Sequence, residues 1–381
     1  MAGDGGAARG IPPVVYALTA AIAVIGSNSL VLAPIAPDVS RAFGAPVQSV
    51  MAASAAFGLG TAFSALFLAR HMDRFGAWRL LRLAFAALAA ALAASAVAPS
   101  ATMLAAAQLV AGIAAGVALP AIYSNAASVA PAGRESETVG IVLTGWTLSL
   151  VAGVSLSAVL ADLVHWRAVY GVVAMLAIAA SVALWADGRR DVPSVASALS
   201  PLATLAIPGV LPLLAACAVF MAGFYGVYAY LGHHVNVELG QPVMANGLIT
   251  VAYGLGFGGA AFLDRPIQRF APQRVLPVAF LAVAAVLAAT AMASGSYATL
   301  LVCAFLWGLF NHFGLNLLIV RLAAIDPARR GAIMGLNSAT TYLAAFAGTL
   351  AFGPIYAHAG FAATAWVAAG LALCAGFAAA R

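Results

Sequence analysis

Apolar stretches of about 20 residues alternate with short polar segments along the whole chain. That length suits a helix crossing a bilayer, whereas a membrane β-strand needs about 10 residues and alternates apolar with polar positions. Because only helices and closed barrels satisfy their backbone groups in lipid, the pattern predicts an all-α polytopic membrane protein. We number the predicted spans 1 to 12, and they cover residues 12–35, 48–69, 79–98, 102–128, 138–161, 167–186, 208–232, 243–263, 275–294, 298–322, 331–354 and 361–380.

Composition and charge distribution agree with a membrane protein. Hydrophobic residues make up 64% of the 381 residues and the mean hydropathy is +1.04, against roughly 45–50% apolar residues in soluble domains. All 17 basic residues are arginines. With the N-terminus inside, only Arg41 and Arg167 fall on the outer side, as the positive-inside rule requires. We therefore expect a bacterial-type plasma (inner) membrane protein with cytoplasmic termini, whose net charge of +6 reflects topology and not nucleic-acid binding.

One long polar stretch, residues 187–206, lies in the middle of the chain and is rich in Pro, Ser, Asp and Arg. Such a composition is typical of a linker. It predicts an N-terminal six-helix bundle (1–186), a cytoplasmic linker (187–206) and a C-terminal six-helix bundle (207–381). The first apolar segment is expected to be a retained span and not a cleaved signal peptide, because its leading residues are weakly basic and its loss would leave an odd number of spans.

A polar signature occurs in both halves of the chain. Asp73-Arg74 and Asp264-Arg265 are 191 positions apart, and Arg134 recurs as Arg330 after 196 positions. Each copy stands between long apolar stretches. A charged loop repeated at matching places in two hydrophobic halves indicates a transporter built from two related bundles.

The first copy carries a specific resemblance. Ala69, Asp73, Arg74, Gly76 and Arg79 follow the loop signature between helices 2 and 3 of the major facilitator superfamily, with Ala69 in place of a glycine. The chain resembles the twelve-helix drug/proton antiporter branch, which includes sugar and nucleoside exporters. The resemblance implies two pseudo-symmetric six-helix bundles and transport by alternating access.

The chain departs from that branch at two places that concern coupling and direction. Gln108 stands where the span 4 signature of the branch holds an arginine implicated in proton coupling. Ser155 and Ser157 stand where the span 5 antiporter signature has proline and glycine. Export and uptake therefore both stay open at the level of the sequence.

The resemblance also implies a gate. Each aspartate would contact the N-terminus of a helix in the opposite bundle, where unpaired N–H groups attract a carboxylate: Asp73 near Gly331 and Asp264 near Thr138. The alternative is that the arginines only fix topology and the aspartates balance them. The expected gating residues are Asp73, Arg74, Arg79, Asp264 and Arg265.

Few ionisable residues are available for proton coupling. No Asp, Glu or Arg falls near the middle of a predicted span, so His312 in span 10 and Asp38 at the outer end of span 1 are the candidates. Histidine changes charge near physiological pH. The alternative for His312 is a hydrogen bond between helices, with Asn311 or Asn316.

Polar and aromatic residues on six spans outline a central cavity. Amides and aromatic rings in an apolar pocket suit an uncharged or amphipathic ligand, since no buried countercharge is present. For each of these residues, a lipid-facing or purely structural role is the alternative. The expected substrate-binding residues are Asn28, Gln108, Tyr123, Trp146, Phe224, Tyr228, Trp307, Asn311 and Asn337.

The sequence does not contain the residue sets that other classes of function require. The chain has no nucleophile–base set, no metal-ligand cluster and no phosphate-binding loop, so we expect neither an enzyme nor a cofactor. The expected function is proton-linked efflux of small amphipathic or sugar-like compounds by a monomer in the lipid bilayer. The alternatives are an uptake symporter or facilitator and a non-transporting membrane sensor.

Overall fold

The structure, a computed structural model, describes residues 11–68, 75–131, 134–189, 191, 201–267, 269–326 and 329–380. The described residues are almost entirely helical and contain no β-strand. Ten of their helices are long and apolar enough to cross a membrane, and a bent pair at the N-terminus makes eleven. The last of these helices contains two spans, which brings the number to twelve. The predicted all-α polytopic fold is confirmed.

Spans 1 to 6 form the N-terminal half. Span 1 consists of two helices that meet at an angle of 50°, and span 5 contains a π-helical segment, Ser149–Val154. Span 1 ends at Gly44, whose φ of 58° is left-handed, and span 4 ends just before Pro131. The helices are Val14–Leu30 and Leu32–Phe43 (span 1), Val47–Phe67 (span 2), Ala77–Ala96 (span 3), Ala101–Val129 (span 4), Glu135–Leu148 and Ser155–Leu163 (span 5) and Trp166–Ala186 (span 6).

Spans 7 to 12 form the C-terminal half. One continuous helical element holds spans 11 and 12, and these separate at Gly360, whose φ of 76° and ψ of −178° are not helical. Glycine adopts this backbone conformation without the clash that a Cβ would cause. The helices are Val210–His233 (span 7), Ala245–Gly259 continued by Ala260–Leu263 and Asp264–Ile267 (span 8), Pro272–Met292 (span 9), Tyr297–Ile325 (span 10) and Arg330–Ala380 (spans 11 and 12).

Glycines bring two pairs of spans close together in the same way. A methyl group on Gly112 would lie 2.1 Å from the carbonyl oxygen of Phe57, and one on Gly308 would lie 2.0 Å from that of Tyr253. Both residues of the second contact stand 196 positions after those of the first. Spans 2 and 4 therefore pack as spans 8 and 10 do. Equivalent residues of the two halves are 196 positions apart, and we use this separation as the register of the repeat.

The two halves meet along spans 1 and 7, 2 and 11, and 5 and 8. We call the end of the molecule that carries Asp187 and Asp191 the linker face, and the opposite end the far face. Pro34 in span 1 has no N–H to give the carbonyl of Leu30, which explains the bend and leaves that carbonyl free. The hydroxyl of Tyr228 in span 7 donates to it at 3.1 Å. A proline in one half thus creates a hydrogen-bond acceptor for the other.

The start of the linker is fastened to the start of span 3. Asp191 accepts hydrogen bonds from the backbone N–H groups of Trp78 at 2.7 Å and Arg79 at 3.2 Å. Gly76 has a φ of 90°, and a methyl group on it would lie 2.1 Å from the Asp191 carboxyl carbon. This glycine of the loop signature therefore leaves room for a carboxylate that caps the helix.

Candidate functional site

Four aromatic rings cluster between spans 7, 8 and 10. The ring centroid of Phe224 lies 5.2 Å from that of Trp307 and 5.8 Å from those of Tyr228 and Tyr253. Tyr253 and Trp307 meet edge to face at 5.5 Å. The structure thus brings together three residues expected in the cavity and adds Tyr253. We call Phe224, Tyr228, Tyr253 and Trp307 the aromatic cluster.

A small cavity borders the aromatic cluster at the junction of the two halves. Its volume open to a water-sized molecule is about 20 Å³, enough for one water. No charged side chain lines it, and Pro34 is its contribution from the N-terminal half. The lining residues are Pro34, Tyr228, Leu231, Gly232, Asn246, Ile249, Thr250, Tyr253, Ala304 and Trp307.

Two buried amides add hydrogen-bonding groups to this region. Asn246 donates to the carbonyl oxygen of Pro34 at 2.7 Å, and Asn311 donates to the hydroxyl of Tyr253 at 2.7 Å. The Oδ1 atoms of both asparagines are buried without a hydrogen-bond partner. Buried acceptors of this kind favour a ligand that offers O–H or N–H donors, because an unpaired buried acceptor costs free energy.

Other expected cavity residues pair with each other inside the N-terminal half. Asn28 and Gln108 exchange two hydrogen bonds, of 3.0 and 3.2 Å, and Gln108 also donates to Ser95 at 3.0 Å. Trp146 donates to the hydroxyl of Tyr123 at 3.1 Å. The amide of Gln108 is therefore committed to a neutral network at the position where the drug/proton antiporter branch has an arginine.

The remaining site residues lie apart from the aromatic cluster. Asn337 is buried on span 11, and its Oδ1 has no hydrogen-bond partner. Asp38 pairs with Arg41 at the far-face end of span 1. His312 pairs with Asp264 at 3.1 Å. The expected hydrogen bond from His312 to Asn311 or Asn316 is not among the bonds of the described residues.

Only some of the expected gating residues belong to the described part of the chain. Asp73, Arg74 and the Arg265 side chain lie outside the described residues. Arg79 contributes its backbone N–H to Asp191, and Asp264 contacts His312.

Sequence reasoning missed Tyr253 and Asn246. Both residues are polar and lie inside an apolar predicted span, where a polar side chain needs a hydrogen-bond partner. That requirement could have identified them from the sequence. Tyr253 and Phe257 are also four positions apart, so they share one face of span 8. Their partners, however, come from spans 7 and 10 and from the other half, which the sequence does not place.

The sequence matches the model of a known family. The family model for the Major Facilitator Superfamily matches residues 17–296, most of the chain. The chain belongs to the Major Facilitator Superfamily. It is therefore a multi-pass membrane transporter and not an enzyme.

Relatives within the superfamily agree over most of the chain. The chain is 25% identical over 363 residues to the uncharacterised transporter YwfA of Bacillus subtilis, covering 93% of this chain and 88% of the relative. It is 27% identical over 278 residues to the chloramphenicol resistance protein of Streptomyces lividans, covering 71% and 70%. Among solved structures, the D-xylose-proton symporter superposes with a TM-score of 0.78 at 16% identity, covering 96% of both chains. At that identity the superposition supports the superfamily fold alone.

Proposed function

We propose that this superfamily member exports small uncharged amphipathic or sugar-like compounds by proton-linked alternating access. The observation that carries the proposal is the aromatic cluster: its Tyr228, Tyr253 and Trp307 border a cavity that has a buried amide and no charged lining residue. Aromatic rings stack on apolar faces of a ligand, and free acceptors bind its hydroxyl or amide hydrogens. The similarity to a chloramphenicol resistance protein supports export of a small amphipathic molecule.

The hydrogen bonds between the halves support an alternating mechanism. Tyr228 donates to the carbonyl of Leu30, and Asn246 donates to that of Pro34. All four residues lie toward the far face or line the small cavity. Release of a ligand to the far face requires these contacts to break, and two weak bonds are a low barrier to exchange between states.

Topology and organisation follow from the same proposal. We place the linker face in the cytoplasm of a bacterial-type inner membrane, with both termini there, because the arginines concentrate on that side. The bundles 1–186 and 207–381, joined by 187–206, act as the two rocking units of a monomer. A gate of Asp73, Arg74, Arg79, Asp264 and Arg265 is proposed for the linker face.

Transport of chloramphenicol in proteoliposomes tests the function. We expect saturable counterflow of labelled chloramphenicol and its acceleration by an imposed pH gradient. Trp307→Ala should raise the half-saturating concentration roughly fivefold or more, since a lost aromatic contact costs about 1 kcal/mol. Trp366→Ala is the matched control, because Trp366 is exposed at the outer surface of the spans.

The outcomes separate the alternatives. Counterflow that ignores the pH gradient points to a facilitator, and accumulation in the direction of proton flow points to a symporter. A sensor would show no counterflow, and a channel would show flux that does not saturate. Equal effects of Trp307→Ala and Trp366→Ala would contradict the assigned binding site.

A further inference from the structure

The contact between Asp264 and His312 joins the end of span 8 to the middle of span 10. Nε2 of His312 is 3.1 Å from Oδ1 and 3.3 Å from Oδ2 of Asp264, and the side chains are 14% and 24% exposed. His312 stands about 22 Å along span 10 from Tyr297. Among the described residues, it is the one His, Asp, Glu or Arg more than two turns from both ends of its span. Ionisable groups at such depth carry a cost that function must justify.

The internal repeat shows that the pair is an addition to the shared framework. In the register set by the matched glycines, His312 corresponds to Gly116 and Asp264 to Leu68. A methyl group on Gly116 would lie 2.1 Å from Oγ of Ser64, so the N-terminal half closes tightly at this place. The C-terminal half holds an imidazole and a carboxylate there instead. Packing of spans 8 and 10 does not require the imidazole and the carboxylate, because spans 2 and 4 pack in the same way without such a pair.

The same register corrects the position of Asp264. The sequence equates Asp264 with Asp73 at a separation of 191, whereas the packed glycines repeat at 196. In that register Asp264 corresponds to Leu68, which precedes Asp73 by five positions in the sequence, more than one helical turn. That shift brings the carboxylate within reach of His312.

The surroundings of His312 are apolar apart from Asp264. The rings of Phe257 on span 8 and Phe313 on span 10 lie 5.1 and 5.4 Å from the imidazole. Phe257 in turn stacks on Tyr253 of the aromatic cluster at 6.1 Å. In the part of the chain that the structure describes, spans 7, 9, 11 and 12 bring no Asp, Glu, Arg or further His into contact with His312. Arg321, the other charged residue of span 10, bonds to the backbone carbonyl of Ala379.

The other candidates for a coupling proton are less suited. The network of Asn28, Gln108 and Ser95 is neutral and internally satisfied. Asp38 is held by Arg41, which is exposed at the far face. We propose that Asp264 and His312 together form the site that binds the coupling proton, an inference that rests on the proposed proton-linked function.

The chemistry of the pair links protonation to conformation. With a proton on the imidazole, the imidazolium and the carboxylate sum to zero charge. Loss of that proton leaves neutral histidine and a carboxylate, a net charge of −1 inside the spans. An unpaired buried charge is costlier than an ion pair of the same groups, so deprotonation favours whichever state of the transporter hydrates the site. The contact chain through Phe257 and Tyr253 connects the pair to the ligand cavity.

A distance measurement tests the inference without a substrate. Spin labels at Leu163 and Met244, both exposed, report the separation of the halves at the far face. The three native cysteines, Cys217, Cys303 and Cys374, are replaced by alanine for this purpose. We expect the distance distribution of the purified transporter to differ between acidic and alkaline buffer, and this shift to be lost in His312→Gln and in Asp264→Asn.

Three controls keep a structural role distinct from a protonation role. His358→Gln removes an exposed histidine of span 11 and should leave the shift intact. Asp264→Glu keeps an ionisable carboxylate and should restore pH dependence with a displaced midpoint. His312→Gln keeps an N–H donor for Asp264, so its melting temperature should stay near that of the parent. A parent protein without a pH-dependent distance, or variants that keep the full shift, would overturn the proposal.

Chloramphenicol flux separates this inference from the proposed function. If a pH gradient drives flux equally in the parent and in His312→Gln, the exporter function stands and the proton site is wrong. If the distance shift is present and lost in both variants while chloramphenicol is not transported, the proton site stands and the proposed substrate is wrong.

Discussion

At the scale of single residues, Gln108 shows how the chain replaces a charge by a neutral network. Its side chain is 2% exposed and bonds to Asn28 and Ser95. An arginine at this position would need a carboxylate or several acceptors to offset its burial. The two amides bond to one another instead, and the network of Asn28, Gln108 and Ser95 therefore holds no titratable group.

Breaking this network on one side should be more harmful than removing both amides. In Gln108→Leu the buried Asn28 loses its partners, which should lower the free energy of unfolding by about 1–3 kcal/mol. The double variant Asn28→Leu with Gln108→Leu should recover part of that loss, because no polar group is left unpaired. Thermal unfolding in detergent measures both. A double variant that loses the sum of both single effects would contradict the pairing.

At the scale of helices, spans 2 and 4 and spans 8 and 10 are held together by backbone contact at glycine. A methyl group on Gly60 would lie 2.4 Å from the carbonyl of Leu109, and one on Gly256 would lie 1.9 Å from that of Phe305. Small residues allow this close approach in membranes, where helix association depends on packing because lipid is as apolar as the side chains. The matched contacts show that equivalent residues of the two halves make the same close backbone contacts.

Alanine at the paired glycines should therefore destabilise both halves to a similar degree. Gly112→Ala and Gly308→Ala each insert a methyl group against a backbone carbonyl, and we expect a loss of about 1–3 kcal/mol or more. Gly171→Ala, in span 6, meets no atom within 4 Å and is the matched control. Thermal unfolding of the three variants checks this. A loss in one half only would show that the register of 196 does not describe the packing.

At the scale of the whole molecule, prolines in span 1 leave backbone carbonyl groups available for contact with the C-terminal half. Pro34 frees the carbonyl of Leu30 for Tyr228. A methyl group on Gly232 would lie 2.6 Å from the carbonyl of Ala33, which receives no hydrogen bond from position 37 because Pro37 has no N–H. The bent span 1 thus offers carbonyl groups to span 7 in a place where a regular helix would offer none.

Weakening this contact should shift the balance between the two states of the transporter. Asn246→Ala removes the hydrogen bond to Pro34, worth about 1 kcal/mol, so the population open at the far face should rise roughly fivefold. The spin-label distance between positions 163 and 244 measures that population. Tyr297→Phe is the control, because its hydroxyl bonds to Ala245 within the C-terminal half. An unchanged distribution in Asn246→Ala would show that the bond does not hold the far face closed.

The sequence alone determined the class of this protein and the number of its spans. Long apolar stretches leave the backbone no alternative to helices in lipid, and the arginines indicate the topology. The recurrence of Arg134 as Arg330 after 196 positions agrees with the register of the packed glycines. Only the tertiary structure decided which polar residues meet. Asn28 and Gln108 are 80 positions apart and bond to each other, while Asp264 turns to His312 because the packed glycines set its register. Contacts of this kind depend on helix rotation and depth, which shifts of one or two residues change and which hydrophobic patterning leaves free.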